Sequence, residues 1–304
     1  MKYPHFKAII VAVIACMTLA SCCRSSKSVV EARPDNPLFH LTSDTRWTLV
    51  SAVPLRFNSW HTQGIVKIDE LFYVSSVDGD ARQGHIFKLD GDGQLIADLQ
   101  LSDGEAYHPG GMDYDGKYLW TAVAEYHPDS RAIIYRIDPE TMTAERVFEW
   151  GDHIGAIVHD TDDNVLIGVS WDARTFYRWT LDPAGRVDNA DVAPEKLAVR
   201  RGSFYVNFQD GQYLGDNLML WSGLETVGNG KEKVQLGGWE IFDTRDLCPV
   251  HQFIIRLYTP SGKVMTANPC AVETRDNTVR AYFAPDENGQ TTLYVFETQL
   301  AISK

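Results

Sequence analysis

From Trp47 onward, short apolar runs alternate with turn-forming polar pairs, and the alternation has the period of β-strands. The stretch from His108 to Pro139 is the pattern in miniature. It predicts a strand at Gly111–Tyr114, a turn at Asp115-Gly116, a strand at Tyr118–Ala124 and a third at Ala132–Asp138, which ends at Asp138-Pro139. The same order of strands and turns recurs through most of the chain. Units open at His61, His108 and His153 and near Phe208 and Asn268.

Four strands every ~40–50 residues is the pattern of a β-propeller, in which each sheet hides its faces only against its neighbours. The first unit has strands ending at Asp69, at Leu71–Val77, at His85–Asp90 and at Leu95–Leu101, and the second closes with Ala144–Trp150. In the third, Val165–Trp171 and Phe176–Asp182 follow the opening. In the fourth, Leu218–Gly223 and Phe253–Tyr258 read as the second and third strands, and in the fifth Val279–Ala284 and Thr292–Glu297 do. The fifth unit lacks a fourth strand, while Trp47–Leu55 is a strand with no local partner. The prediction is all-β, a single propeller of five blades closed by that N-terminal strand, which removes two sheet edges. Six blades stay open if the long fourth unit hides another, and a β-sandwich is the alternative architecture.

In a blade, the start of the first strand lies at the same end as the finish of the second. One mouth should therefore collect His61, His108 and His153, with Gln63, Gln209 and Asn268, from first-strand starts. Second-strand ends add Asp78, Glu125, Asp172, Glu225 and Glu287. Just beyond them stand three Asp-x-Arg triplets, ending at Arg82, Arg131 and Arg174. These are either ligand-binding guanidiniums or braces between blades. Residues 225–249, rich in glycine and charge and carrying Trp239 and Phe242, read as a long loop over the same mouth.

The N-terminus changes the address. Lys2 and Lys7 precede an eleven-residue apolar run, Ala8–Thr18, too short for the ~20 residues that span a bilayer. Leu19-Ala20-Ser21-Cys22 then resembles the lipobox of bacterial lipoproteins, which implies a signal peptide over residues 1–21 and lipidation (palmitate included) of Cys22. A tether over residues 22–40 and a propeller over 41–304 follow. The expected location is the cell envelope, facing periplasm or exterior, with the outer membrane favoured because Cys23, not aspartate, follows Cys22. The net charge of −13 and the absence of a basic run argue against nucleic acid as a partner. Cys248 and Cys270, the cysteines of the globular part, are candidates for a disulfide in an oxidising compartment.

Several motifs carry a resemblance. WHTQGI at 60–65, HPGGMDYDG at 108–116, AEYHPDSR at 124–131, DHIGAIVHD at 152–160, FYRWTLD at 176–182 and YVNFQD at 205–210 resemble a family of secreted, propeller-like proteins of unknown function. That resemblance implies the fold and no chemistry. Thr62-Gln63-Gly64-Ile65 is also similar to an opening motif of five-bladed glutaminyl cyclases. Where those enzymes carry a glycine-glutamate pair, this chain has His108-Pro-Gly-Gly, so the resemblance supplies no general acid/base.

The functional expectation is a membrane-tethered propeller that binds a small polar or anionic ligand at the channel mouth. The enzymatic alternative is a hydrolase, lyase or cyclase using His108 with Glu125, metal-dependent if His61, His108 and His153 converge on one cation. The third is a scaffold for protein partners. His61, Gln63, His153, Arg82, Arg131, Arg174, Asp172 and Gln209 are the expected ligand-binding set. No nucleophile elbow, zincin helix or phosphate-binding loop is present.

Overall fold

The computed structural model describes residues 36–202, 205–230, 233–285 and 289–301. Strand β1 (Thr48–Pro54) precedes a first set of β2 (His61–Ile68), β3 (Leu71–Asp78), β4 (Gln83–Asp90) and β5 (Leu95–Gln100). Next come β6 (Ala106–Tyr114), β7 (Leu119–Glu125), β8 (Ala132–Asp138) and β9 (Thr143–Trp150). They are followed by β10 (Ala156–Asp160), β11 (Val165–Val169), β12 (Thr175–Thr180) and the two-residue β13 (Val199–Arg200). A fourth set is β14 (Asn207–Gly215), β15 (Leu218–Val227), β16 (Val234–Asp243) and β17 (Cys248–Ile255). The last is β18 (Cys270–Arg275), β19 (Thr278–Phe283) and β20 (Thr292–Gln299).

The architecture is all-β and propeller-like. Three sheets have four strands; a fourth has eight, two four-stranded halves joined by one parallel bridge between Gly111 and Ala156. β1 pairs antiparallel with β20, from Thr48 opposite Glu297 to Pro54 opposite Thr292, so the two ends of the chain share a sheet. Among the described residues no helix is long and apolar enough to cross a membrane.

The strands form because their apolar residues are wanted on both faces. β7 and β11 are buried almost end to end, as expected for strands flanked by a sheet on each side. Apolar clusters fill each gap. One joins β2–β4 to β6–β8 around Met112 and Ile133; another joins β7–β9 to β10–β12 around Trp120, Trp150 and Trp179. A third, around Trp221, joins β10–β12 to β14–β16. Trp239 and Phe283 centre the next, and Phe87 with Tyr282 brings the last sheet back onto the first.

Near the centre, the first strands of the sets approach one another closely enough to need glycine. A Cβ on Gly110 would lie 2.1 Å from the Gly155 carbonyl oxygen, and one on Gly64 would lie 2.7 Å from Gly111 Cα. Two buried carboxylates tie this crossing together. Asp210 accepts backbone N–H bonds from Met112 (3.0 Å) and Gly211 (3.0 Å) on Oδ1, and from Ile65 (2.9 Å) and Cys270 (3.0 Å) on Oδ2. Asp113 accepts from the His159 and Tyr213 amides, and burial pushes its carboxyl up to about 7.

Four expectations are corrected. Residues 225–249 are not a lid: most of them lie in the ten-residue strands β15 and β16, which pair from Leu218–Asp243 to Val227–Val234, and Trp239 and Phe242 are core residues. The third and fourth strands of that sheet are therefore β16 and β17, one strand earlier than read from Phe253–Tyr258. No Cys248–Cys270 bridge forms, because Cys270 is a free, buried thiol beside Asp210. The segment assigned to the end of the tether also packs: Pro37–His40 is a 3-10 turn whose Leu38 and Phe39 enter the core with Leu41. Cys22 and the signal region lie outside the described residues.

Candidate functional site

The glycines that let the first strands cross also place the residues before them at one mouth. His61 precedes Gly64, His108 precedes Gly110 and Gly111, and His153 precedes Gly155, so each imidazole stands above the crossing. A pocket of about 200 Å³ lies there. It is lined by His61, Gln63, His108, His153, Asp172 and Gln209 from the expected set, and by Tyr126, Ser170, Trp171, Gly155 and Phe208 besides. Asp210, one residue beyond Gln209, ties the strands together below this mouth.

The rings stand in a row. His61 and His108 have centroids 6.2 Å apart, and His108 and His153 5.8 Å apart. Tyr126, which is 42% exposed, stacks on His108 at 4.3 Å, and Trp171 meets His153 edge-on at 4.7 Å. Gln63 Nε2 is 2.5 Å from His61 Nε2; since the amide nitrogen only donates, the ring nitrogen accepts. His153 Nδ1 donates to the Glu125 carbonyl at 3.1 Å, which leaves Nε2 with its lone pair.

Burial favours the neutral form of two of these rings, His108 and His153. His108 is held well below the usual imidazole range by burial and then by His153 and His61. His153 is pushed down to about 4, again by burial. A depressed imidazole takes up its proton in the unfolded chain first, so stability is full above the ordinary pKa of 6.5 and is lost as pH falls toward about 4. His153→Gln should flatten that window, removing up to roughly 3 kcal/mol of the decline. Urea unfolding of parent and variant between pH 4 and 7 measures it, and parallel curves would refute the assignment.

Other expected residues stand elsewhere. The Glu125 carboxylate is occupied by Arg131 Nε at 3.0 Å and His127 Nε2 at 3.2 Å, so only its backbone carbonyl reaches the site and the His108–Glu125 acid/base pair does not form. Arg131 also bonds Glu149. Arg82 pairs with Glu105 and lies over the Tyr107 ring. Arg174, 4.0 Å from Asp172, is largely exposed. None of the three guanidiniums lines the pocket. Arg82 and Arg131 are braces from the end of one strand pair to the next. Asn268 supports the mouth from outside it, donating to the Thr62 carbonyl at 2.6 Å. Glu225 bonds Asn207, and Glu287 lies outside the described residues. Among the described residues no three His, Cys, Asp or Glu side chains are arranged to hold a metal ion.

Sequence reasoning missed Tyr126, Trp171 and Phe208. Their signal was adjacency: Tyr126 follows Glu125, Trp171 precedes Asp172 and Phe208 precedes Gln209, each one step from a residue already placed at the mouth.

A family model described as "Family of unknown function (DUF6454)" matches residues 17–302. No curated protein sequence matches the chain. Among solved structures, a hypothetical protein from Leishmania major aligns at 12% identity and TM-score 0.51, over 89% of this chain and 93% of that one. A bifunctional GH43-CE protein from Bacteroides eggerthii aligns at 10% identity and TM-score 0.52, over 80% of this chain and 34% of that one. The tail fibre of Staphylococcus aureus phage P68 aligns at 11% identity and TM-score 0.49, and the chain spans 57% of its length. Identities this low speak to fold alone.

Proposed function

The chain belongs to this family of unknown function, DUF6454, and from that premise we propose that it is a non-catalytic binding protein for a small, uncharged polar ligand held at the mouth. The observation that carries this reading is the pocket's composition. His108 and His153, kept neutral by burial, stand with His61, two glutamines, one carboxylate and the aromatic side chains of Tyr126, Trp171 and Phe208, while Arg82, Arg131 and Arg174 stay outside. Convergent polar groups among aromatic walls are what a small-molecule site requires. An anion would be held best by guanidinium forks, and no guanidinium lines the mouth. Paired-carboxylate hydrolysis of a sugar is also unsupported, since Asp172 is the one acid among the lining residues.

We further propose that the five strand sets are five blades. The support is the succession of five apolar clusters, the last of which returns to the first sheet, together with the pairing of β1 with β20. The N-terminal motif supports a lipid anchor at Cys22 and a place in the cell envelope. Cys22→Ala should then abolish incorporation of labelled palmitate, and undiminished label in the variant would end that reading.

Calorimetric titration tests the ligand class, with neutral sugars and polyols set against inorganic phosphate, sulfate and citrate. A neutral member should bind with an affinity that changes less than about twofold between pH 5.5 and 8, because His153 does not titrate in that range. Tyr126→Ala should weaken it roughly tenfold, the scale of one lost aromatic contact. Binding confined to the anions and strengthening toward low pH would overturn the proposal.

A further inference from the structure

The mouth does not end at His61. A second cleft, of about 370 Å³, adjoins it, and His61 lines both. Trp60, Asp78 and Asp80 line the second cleft with Asn58 and Gly289. The first pocket alone is smaller than the roughly 300–1,000 Å³ typical of ligand sites, whereas the two together fall within that range.

Trp60 is held in an unusual way. Its φ is +44°, a left-handed conformation that is costly for a bulky aromatic residue, and the surroundings fix it there. Its amide donates to Asn58 Oδ1 at 3.2 Å, its backbone bridges to Gly289, and its indole stacks on His85 at 4.5 Å with 14° between planes. The cleft beside it carries two carboxylates. Asp78 Oδ1 accepts from the Asp80 and Ala81 amides, which sets the turn that displays Asp80.

We infer that the pocket and the cleft are consecutive subsites, joined at His61, for an extended neutral saccharide. This rests on the reading of the pocket as a site for an uncharged polar ligand. A chain of sugar units presents alternating hydroxyl edges and C–H faces. The edges suit the imidazoles, Gln63, Asp172 and Asp80, and the faces suit Tyr126 and Trp60. A polyanion is disfavoured by carboxylates in both subsites and by the −13 charge. A peptide would instead look for an unpaired strand edge or an apolar side-chain pocket, and neither lines this groove.

The experiment is calorimetric titration of the full chain with neutral homo-oligosaccharides of one to six units, glucose-, galactose-, mannose- and xylose-based. The expected result is binding by one series, with affinity rising at least about tenfold between one unit and three as the second subsite fills. Trp60→Ala should cancel the gain with length. Asp80→Ala, at an exposed position, should remove part of the gain with an unaltered melting temperature, which serves if the Trp60 variant misfolds. Equal affinity for all lengths would overturn the second subsite and leave the pocket reading intact, as would a gain with length that survives both substitutions. Failure of every saccharide at any length, or binding of uncharged hexapeptides in their place, overturns the saccharide inference, and the pocket reading falls with it only if the polyols fail as well.

Discussion

Replacing Asp210 with asparagine should cost the domain at least about 4 kcal/mol, a large share of the 5–15 kcal/mol that holds a typical domain together. The substitution is nearly isosteric, so its effect comes from hydrogen-bond polarity. Each carboxylate oxygen receives two backbone N–H groups, and all four neighbours are donors. Asparagine would aim an NH2 at two of them and leave both unpaired in the protein interior. Burial raises the carboxyl's pKa, while the four amides pull it the other way. The amides belong to β2, β6, β14 and β18, so losing the carboxylate loosens four sheets at once. Thermal melts followed by circular dichroism should show a loss of at least ~8 °C, using 2–4 °C per kcal/mol for a domain of this size. A melting temperature within ~3 °C of the parent would mean that the crossing is held by apolar packing alone.

That hub shows where the sequence was legible and where it was not. The motif of a polar residue followed within two or three positions by glycine was visible at His61, His108, His153 and Gln209. The mouth was located from these first-strand starts, and the structure adds the reason for the glycines: inner strands touch there, and the residue before each is left at the rim. What Asp210 does was invisible: its partners are backbone amides from distant strands, and amides leave no trace in sequence. The arginine triplets left two readings open for a related reason. They lie beyond strand ends, where the strand period no longer fixes direction, and glutamates of neighbouring strand ends and turns claimed Arg82 and Arg131.

The stretch 225–249 was misread through its glycines. Gly237 and Gly238 look like loop punctuation, yet they lie inside β16. There a Cβ would meet Thr266 Oγ1 at 2.4 Å and the Tyr205 ring at 2.7 Å, so they are glycines of close approach. Burial also acts against the charged form of two of the imidazoles, His108 and His153. Imidazole is counted as a cation or a metal ligand when only sequence is in view, and the depth of His108 and His153 in the mouth is a property of the fold.

Deleting residues 24–55 should abolish cooperative unfolding, whereas deleting residues 24–35 should leave the melt within ~2 °C of the parent. The shorter deletion stops before the first described residue, Asn36, and tests the tether reading. The longer one removes three kinds of support. Leu38, Phe39 and Leu41 leave the cluster around Trp239 and Phe283, at ~1.5–3 kcal/mol for each buried side chain. Trp47 leaves its edge-on contact with Trp239 at 5.8 Å, and His251 and Ile254 lose their bonds to the Leu41 carbonyl and Ser43 hydroxyl. Removal of β1 then strips the outer edge of β20 along its whole register, together with the Leu55–Thr291 bond that follows it. The last sheet would be left with three strands and an open edge, a template for aggregation. An intermediate deletion, 24–41, separates the terms: it should lower the melting temperature but keep a single transition, since β1 remains to close the sheet. A cooperative melt unchanged by the 24–55 deletion would mean that the C-terminal sheet stands without β1, and closure between the chain ends would have to be abandoned.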